Sequence, residues 1–185
     1  MREVELKSVV ADLAATRGNI ERAGATLEFE GKLFDRRYAD PGGVLVAIDH
    51  VIRLRIYERG EIRNGYLDWK GPTLYEGGYK VREELSTSVG DPDTLAQILE
   101  RLGYIVIKTV DRRISQFRLG DAVVRFEQYP KMDDLVEVEG TPEAIELAIA
   151  ATQLPREGFN TDRLPDFVAR FEARTGQRAL LTFGD

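Results

Sequence analysis

The sequence predicts an α+β fold in which about eight antiparallel strands carry ionisable residues along one face. Short segments alternate charged and apolar residues with a period of two, as in Glu3-Val4-Glu5-Leu6-Lys7. Hairpin-length turns or helices join most of these segments, which favours antiparallel pairing. Amphipathic helices, the clearest of which begins at Asp91-Pro92, need apolar surface to cover. The charged strand faces should therefore point away from the helices.

The alternation and the turn residues that end it define each element. We expect strands over residues 2–10, 26–38, 51–58, 65–70, 79–88, 104–118, 122–128 and 135–139. We expect helices over residues 12–25, 91–103, 141–154 and 162–175. No repeat, low-complexity tract or linker interrupts this order, which predicts one domain over residues 1–185.

Two arrangements would accommodate the charged strand faces. An open antiparallel sheet with one face in water shows the same alternation, and for any single strand this is the simpler explanation. Here, however, Glu and Arg dominate positions where solvated strands usually carry Thr, Ser, Gln and Lys. A sheet closed into a barrel would enclose a charged lumen and turn its apolar exterior to the helices. Such a lumen requires compensated charges, and the acidic and basic residues on these faces nearly balance.

The composition excludes several classes of function. The chain has 185 residues, a formal net charge of −6 and no cysteine. An acidic chain without a basic tail is a poor nucleic-acid binder. The lack of cysteine removes disulfides, thiolate zinc sites and cysteine nucleophiles. No apolar run resembles a signal peptide or a membrane span, so we expect a cytoplasmic protein without a membrane partner.

The ordered charge motifs resemble the CYTH family, also called triphosphate tunnel metalloenzymes, which includes class IV adenylate cyclases and thiamine triphosphatases. The matching motifs are E-x-E-x-K at residues 3–7, R-x-R at 53–55, KGP at 70–72, R-x-E at 82–84, a basic strand around Arg113, Glu127, and E-x-E at 137–139. The resemblance covers roughly residues 1–154 and leaves 155–185 as a C-terminal helical extension. It implies an eight-stranded antiparallel tunnel that binds divalent metal and a triphosphate.

The resemblance also implies roles for individual side chains. Carboxylates would hold Mg²⁺ or Mn²⁺, namely Glu3, Glu5, Glu127, Glu137 and Glu139. Cationic side chains would bind the triphosphate, namely Lys7, Arg53, Arg55, Lys70, Arg82, Arg113 and Arg125. Glu84, Lys108 and Tyr66 would support the site. In the segment Asp111-Arg112-Arg113 we expect Arg113 to be in register, with Lys108 or Arg112 as a substitute if a bulge shifts the strand. No motif identifies a general base.

Three functions fit these expectations. In an adenylate cyclase, the 3′-hydroxyl of ATP attacks the α-phosphate and pyrophosphate leaves. Features that resemble that branch of the family are Asp35, Tyr38, the strand at Leu54-Arg55 and the segment 69–72. In a hydrolase of inorganic or thiamine triphosphate, water attacks a terminal phosphorus. The third alternative is a non-catalytic barrel that binds polyphosphate or nucleotide. The last helix would either cover the barrel or pack on a second copy of the chain in a homodimer.

Overall fold

The computed structural model describes residues 2–184 and forms strands and helices over most of them. The strands are β1 (Arg2–Val10), β2 (Thr26–Ala39), β3 (Val51–Arg59), β4 (Ile62–Lys70), β5 (Leu74–Glu76), β6 (Tyr79–Val89), β7 (Ile105–Leu119), β8 (Ala122–Gln128) and β9 (Asp134–Glu139). The α-helices are α1 (Leu13–Arg22), α2 (Val44–Ala47), α3 (Pro92–Arg101), α4 (Pro142–Thr152) and α5 (Leu164–Thr175).

Eight of the strands close into a barrel. Their order is β1-β9-β8-β7-β2-β3-β4-β6, and β6 pairs back onto β1, with every pairing antiparallel. At the closure, Glu3 lies opposite Arg82 and Glu5 opposite Lys80. The short strand β5 pairs with β6 and adds a ninth strand to the sheet. The predicted α+β fold with an eight-stranded antiparallel barrel is confirmed.

Helices cover the apolar outer face of the barrel. The largest core cluster joins Ile20 of α1 and Ile149 of α4 to Leu6, Phe117 and Val124 of the strands. A second cluster places Leu99 of α3 over β2 and β3. The apolar side chains of the strands pack outward against the helices. The charged side chains of the same strands therefore point inward, as the period-two alternation requires.

The C-terminal segment covers one end of the barrel. Phe167 of α5 packs with Val110 and Tyr129, which also line the lumen at that end. Arg163, just before α5, donates hydrogen bonds to Asp49 at 3.2 Å and to Thr73 at 2.9 Å. Of the two arrangements that the sequence allowed for this helix, the structure has the one in which it covers the barrel. A homodimer stays a prediction, as does the single domain over residues 1–185.

Most predicted boundaries agree with the structure to within a few residues, and the differences have local causes. The helix α2 was not predicted; the Asp40 carboxylate accepts hydrogen bonds from the amides of Val44 and Leu45 and begins it. The helix α1 ends at Arg22 rather than near Ala25, because the chain turns at Gly24 with a φ of +96°. No helix within residues 2–184 is long and apolar enough to cross a membrane.

Candidate functional site

The charged strand faces meet inside the barrel. Arg53 is 8% exposed and Asp68 is completely buried. On an open sheet both side chains would be in water, so the closed arrangement with a charged lumen is confirmed. Ion pairs between neighbouring strands compensate much of the charge, as a buried charged cluster requires.

The lumen consists of two chambers that follow one another along the barrel. Strand β3 contributes Val51 and Arg53 to the first chamber and Arg55 and Tyr57 to the second. The first, here called the basic chamber, lies beneath α5 and has a volume of about 190 Å³. The second, here called the aromatic chamber, has a volume of about 380 Å³. Glu3 and Arg125 line both, so they mark the junction.

A layer of ion pairs lies near this junction. Arg53 donates to Asp68 over 3.0 Å, and Arg55 donates to the other oxygen of the same carboxylate over 2.9 Å. Lys70 contacts Glu84 at 2.9 Å and Glu3 at 2.7 Å. Three of the cations predicted to bind triphosphate therefore already have carboxylate partners, which hold their side chains in fixed positions.

Three of the five predicted metal ligands converge. One carboxylate oxygen from each of Glu3, Glu5 and Glu139 lies within 4.8 Å of the other two. The remaining two predicted ligands are engaged with cations: Glu137 with Lys7 at 2.5 Å, and Glu127 with Arg112 at 2.8 Å. The structure thus separates a converging group of three carboxylates from two that lie outside it. The converging carboxylates form ion pairs as well, Glu3 with Lys70, Glu5 with Lys80 and Glu139 with Arg125.

The acidic group has the properties of a site for a hard divalent cation. Burial and the neighbouring Glu137 carboxylate raise the pKa of Glu139 well above its usual value. Although burial opposes it, Lys7 and Arg125 lower the pKa of Glu137 well below the usual value. An additional positive charge would therefore stabilise ionised Glu139. Three carboxylate oxygens at this spacing suit Mg²⁺ or Mn²⁺, so the residues present fit the predicted metal.

Arg37 and Lys108 of the basic chamber lie among other positively charged side chains. Within residues 2–184, neither Arg37 nor Lys108 forms an ion pair with a carboxylate, and the Arg37 Nε atom has no hydrogen-bond partner. Burial, reinforced by the adjacent Arg37, lowers the pKa of Lys108 to about 8. Burial also lowers the pKa of Arg37; Asp35 opposes this shift, while Arg53 and Arg112 add to it. An anion bound here would relieve the repulsion among these cations.

The predicted position of Arg113 in the lumen is wrong. Arg113 is exposed, whereas Arg112 is buried, lines the basic chamber and contacts Glu127. The two-residue turn Gly120-Asp121 sets this register, because it places Gln116 opposite Arg125 and Ile114 opposite Glu127. Even-numbered residues of β7 therefore face the lumen, which also brings Lys108 inside as predicted. The turn was visible in the sequence and could have identified Arg112.

The other predicted residues line one or both chambers. Lys7 and Arg125 face the basic chamber, while Glu84 and Tyr66 line the aromatic chamber. Arg82 also faces the basic chamber, but its guanidinium donates to the carbonyl oxygens of Gly71 and Asp49 at 2.7 and 2.6 Å.

Sequence reasoning missed several side chains as members of the site, namely Asp35, Arg37, Asp49, Asp68 and Tyr129. Asp68 could have been identified, since it alternates with Tyr66 and Lys70 on the charged face of β4. Asp35 and Arg37 flank Arg36, and three ionisable residues in a row do not reveal which of them face the lumen.

Comparisons with known proteins support the fold. No family model and no curated protein matches this chain. Among solved structures, the chain is similar to the PH1819 protein from Pyrococcus horikoshii, with a TM-score of 0.74, 20% identity and coverage of 91% of this chain and 98% of that one. It is similar to a proposed adenylate cyclase from Vibrio parahaemolyticus, with a TM-score of 0.76, 18% identity and coverage of 90% and 97%.

A third similar structure carries a described activity. It is a proposed adenylyl cyclase from Hippeastrum with a dominant triphosphatase activity, at a TM-score of 0.61, 13% identity and coverage of 93% and 96% of the two chains. At these identities the likeness concerns the architecture. This chain therefore has the fold of these proteins, and the resemblance to the triphosphate tunnel proteins that its charge motifs predict is confirmed at the level of the fold.

Proposed function

We propose that this chain is a divalent-metal-dependent enzyme that acts on a triphosphate bound in the barrel lumen. The observation that carries the proposal is the basic chamber, where Arg37 and Lys108 lie in a cationic cluster beside the converging carboxylates of Glu3, Glu5 and Glu139. A polyanion is the ligand that such a cluster would stabilise most, and a metal cation is what the carboxylates would bind.

The cationic side chains of the chamber bind and orient the phosphates in this proposal. Arg112 and Lys7 are held by Glu127 and Glu137, so their positively charged groups are already in place before substrate arrives. Arg37 and Lys108 supply positive charge that no carboxylate within residues 2–184 pairs with directly, although Asp35 partly offsets it from a distance. Because these side chains are buried or half-buried, each such contact would be stronger than at an exposed surface.

Glu3, Glu5 and Glu139 would hold the metal ion. When bound, the ion would neutralise phosphate charge and help to orient the nucleophile. The protein's own contribution is to fix the ligands: Lys70 contacts Glu3 and Lys80 contacts Glu5, which limits the positions that these carboxylates can adopt.

Adenylate cyclase-type chemistry is the first candidate reaction, and the motif resemblance at Asp35, Tyr38 and residues 69–72 supports it. The 3′-hydroxyl oxygen of ATP would bond to the α-phosphorus as the bond to pyrophosphate breaks. The hydroxyl proton passes to water, and the basic chamber stabilises the pyrophosphate that departs. Asp35 is buried in this chamber and the pKa of its carboxyl is lowered, as Arg53 and Arg112 outweigh burial, so it stays ionised among the cations.

Hydrolysis of inorganic or thiamine triphosphate is the second candidate. Water would bond to the terminal phosphorus as the bond to the remaining diphosphate group breaks, and the same cations would stabilise that departing group. The triphosphatase activity described for the similar Hippeastrum protein supports this alternative. A barrel that binds a triphosphate without turnover is the third.

One experiment separates the three candidates. The protein is incubated with Mg²⁺ or Mn²⁺ and, in parallel, with ATP, tripolyphosphate or thiamine triphosphate. Cyclic AMP with pyrophosphate supports the cyclase, and orthophosphate from tripolyphosphate or thiamine triphosphate supports the hydrolase. Binding without turnover supports the third alternative, whereas absence of both binding and turnover for every triphosphate would contradict the proposal.

A further inference from the structure

Three cationic side chains lie next to one another across neighbouring strands of the basic chamber. Arg53 on β3 is the register partner of Arg37 on β2, and Arg37 is the register partner of Lys108 on β7. Side chains at such positions are about 5 Å apart at their Cβ atoms, so like charges there repel one another. Asp68 compensates Arg53 at one end of this group, here called the cationic row. At the other end, β8 pairs with β7 only from Arg113 onward and brings no strand partner to Lys108.

Lys108 differs from the other lysines of the chain in its surroundings. Four of the six lysines form ion pairs with glutamates, namely Lys7 with Glu137, Lys32 with Glu58, Lys70 with Glu84 and Lys80 with Glu5. Within residues 2–184, no ion pair joins a carboxylate to the remaining two, Lys108 and Lys131. Lys131 is exposed, whereas Lys108 is half-buried and lines the basic chamber. In the part of the chain that the structure describes, Lys108 is thus the lysine that combines partial burial with the lack of a carboxylate partner.

The surroundings of Lys108 favour its neutral amine. Burial and Arg37 lower the pKa of Lys108 to about 8; Asp35 opposes this shift, while Lys7 and Arg112 add to it. Tyr129, after β8, and Arg163, before α5, line the same chamber. A lysine that is desolvated beside another cation is the form in which this side chain acts as a nucleophile.

The cationic row also offers a place for an anion next to this amine. The Nε atom of Arg37 is buried and has no hydrogen-bond partner within residues 2–184. A phosphate group that accepts a hydrogen bond from Arg37 would relieve the repulsion along the row. Because Lys108 is directly opposite Arg37, the group attached to that phosphate would lie within reach of the lysine amine.

We propose that Lys108 is a site of covalent modification by small acyl phosphates, whose phosphate binds to the cationic row and whose acyl group passes to the lysine amine. The Nζ lone pair forms a bond to the carbonyl carbon as the bond between that carbon and the phosphate oxygen breaks. The phosphate leaves with the electron pair, beside Arg37, and the amine proton passes to water. The proposal goes beyond triphosphate turnover and shares with the proposed function only the anion site.

Acylation would alter the chamber in two ways. It converts the Lys108 amine into a neutral amide, which removes a cation that no carboxylate pairs with in the described chain. The acyl group also occupies part of a volume of about 190 Å³. The acylated protein should therefore bind tripolyphosphate about tenfold more weakly than the unmodified protein, because a charge-assisted contact is lost.

Acetyl phosphate is the probe, and exposed Lys131 in the same chain is the internal control. The wild type is incubated with acetyl phosphate and EDTA between about pH 6.5 and pH 9.5, and acetylation of each lysine is followed by peptide mass spectrometry. At pH 8, Lys108 should be acetylated about tenfold faster than Lys131, because a larger fraction of its amine is neutral. The rate at Lys108 should level off above about pH 8, while the rate at Lys131 continues to rise.

Further measurements test the role of the phosphate group. Saturating inorganic phosphate should slow acetylation of Lys108 about tenfold and leave Lys131 unchanged, because it occupies the cationic row. With p-nitrophenyl acetate, an acyl donor without negative charge, the preference for Lys108 over Lys131 should fall.

A variant and a matched control test the same point. Arg37→Gln should slow acetylation of Lys108 by acetyl phosphate about tenfold, whereas Arg113→Gln, at an exposed position of β7, should leave it unchanged. The measurements with phosphate and p-nitrophenyl acetate use the wild type alone, so they decide the question even if Arg37→Gln does not fold.

The outcomes separate this proposal from the proposed function. Equal acetylation rates of Lys108 and Lys131 at pH 8, in a protein that binds tripolyphosphate, would overturn this proposal and leave the proposed function intact. Acetylation of Lys108 that phosphate does not slow would also overturn it, because the acyl phosphate would then not be held by the cationic row. If the protein neither binds nor turns over a triphosphate, but Lys108 is acetylated selectively and phosphate protects it, the proposed function fails and this proposal stands.

Discussion

Replacing Lys108 by methionine should stabilise the protein in the absence of ligand and weaken its binding of triphosphate. The folded structure lowers the pKa of this lysine from 10.5 to about 8, chiefly through burial and then through Arg37. That difference corresponds to about 3 kcal/mol. Because the side chain is only partly buried, screening by water reduces the expected gain in unfolding free energy to about 1–2 kcal/mol.

The gain should depend on pH with a definite sign. Below about pH 8, Lys108 is protonated in both the folded and unfolded states, so the unfavourable charge is fully present in the folded wild type. Between about pH 8 and pH 10.5 the folded protein releases the proton first, so the wild type gains stability as the pH rises through this window. The advantage of Lys108→Met should therefore be largest at neutral pH and should shrink towards pH 10.

Urea unfolding with EDTA present, at pH 7 and pH 9.5, measures this effect. The same variant should bind tripolyphosphate about tenfold more weakly, because a charge-assisted contact is lost. Lys131→Met, at an exposed position, serves as the control and should change the unfolding free energy by less than about 0.5 kcal/mol. If Lys108→Met is less stable than the wild type and binds triphosphate with unchanged affinity, the inference that Lys108 binds an anionic ligand is refuted.

Three further changes test other parts of the site. Arg112→Ala leaves buried Glu127 without its closest cation and should abolish turnover of the triphosphate. Arg113→Ala changes a side chain outside the lumen and should leave turnover near that of the wild type. Comparable activity of the two variants would contradict the observed register of β7. Asp68→Asn removes the buried charge shared by Arg53 and Arg55 and should lower the unfolding free energy by about 3–5 kcal/mol, measured in urea. A loss below about 1 kcal/mol would show that the two ion pairs contribute little to stability. Glu3→Gln should weaken Mn²⁺ binding in calorimetric titration at least tenfold, and unchanged affinity would exclude this carboxylate as a ligand.

The sequence by itself determined which strands carry a charged face and which residues share it. Glu3, Glu5 and Glu139 all lie on the inner face of the barrel, as their alternation with apolar residues predicts. A period of two forces alternate side chains to opposite faces of a strand, and helices that need apolar surface leave only the lumen for the charges. The ordered motifs were therefore sufficient to predict the barrel and most of its lining.

Where ionisable residues follow one another without interruption, the alternation carries no information. The segments Asp35-Arg36-Arg37 and Asp111-Arg112-Arg113 fit either face equally well. For Arg112, the Gly120-Asp121 turn and the pairing of β7 with β8 that it sets decide that the side chain faces the lumen. For Arg37, the pairing of β2 with β7, including the shift in register between Arg37 and Tyr38, decides it. A shift of one residue exchanges the two faces, so this part of the site depended on hydrogen-bond register.

The tertiary structure also decided what no strand pattern contains. It brings Asp68 into ion pairs with both Arg53 and Arg55. It places α5 over one end of the barrel, where Phe167 packs, and it divides the lumen into a basic chamber and an aromatic chamber. Each of these depends on contacts between residues far apart in the chain. Alternation specifies the face on which a charge lies, but its partner and its depth along the barrel follow only when the strands close around it.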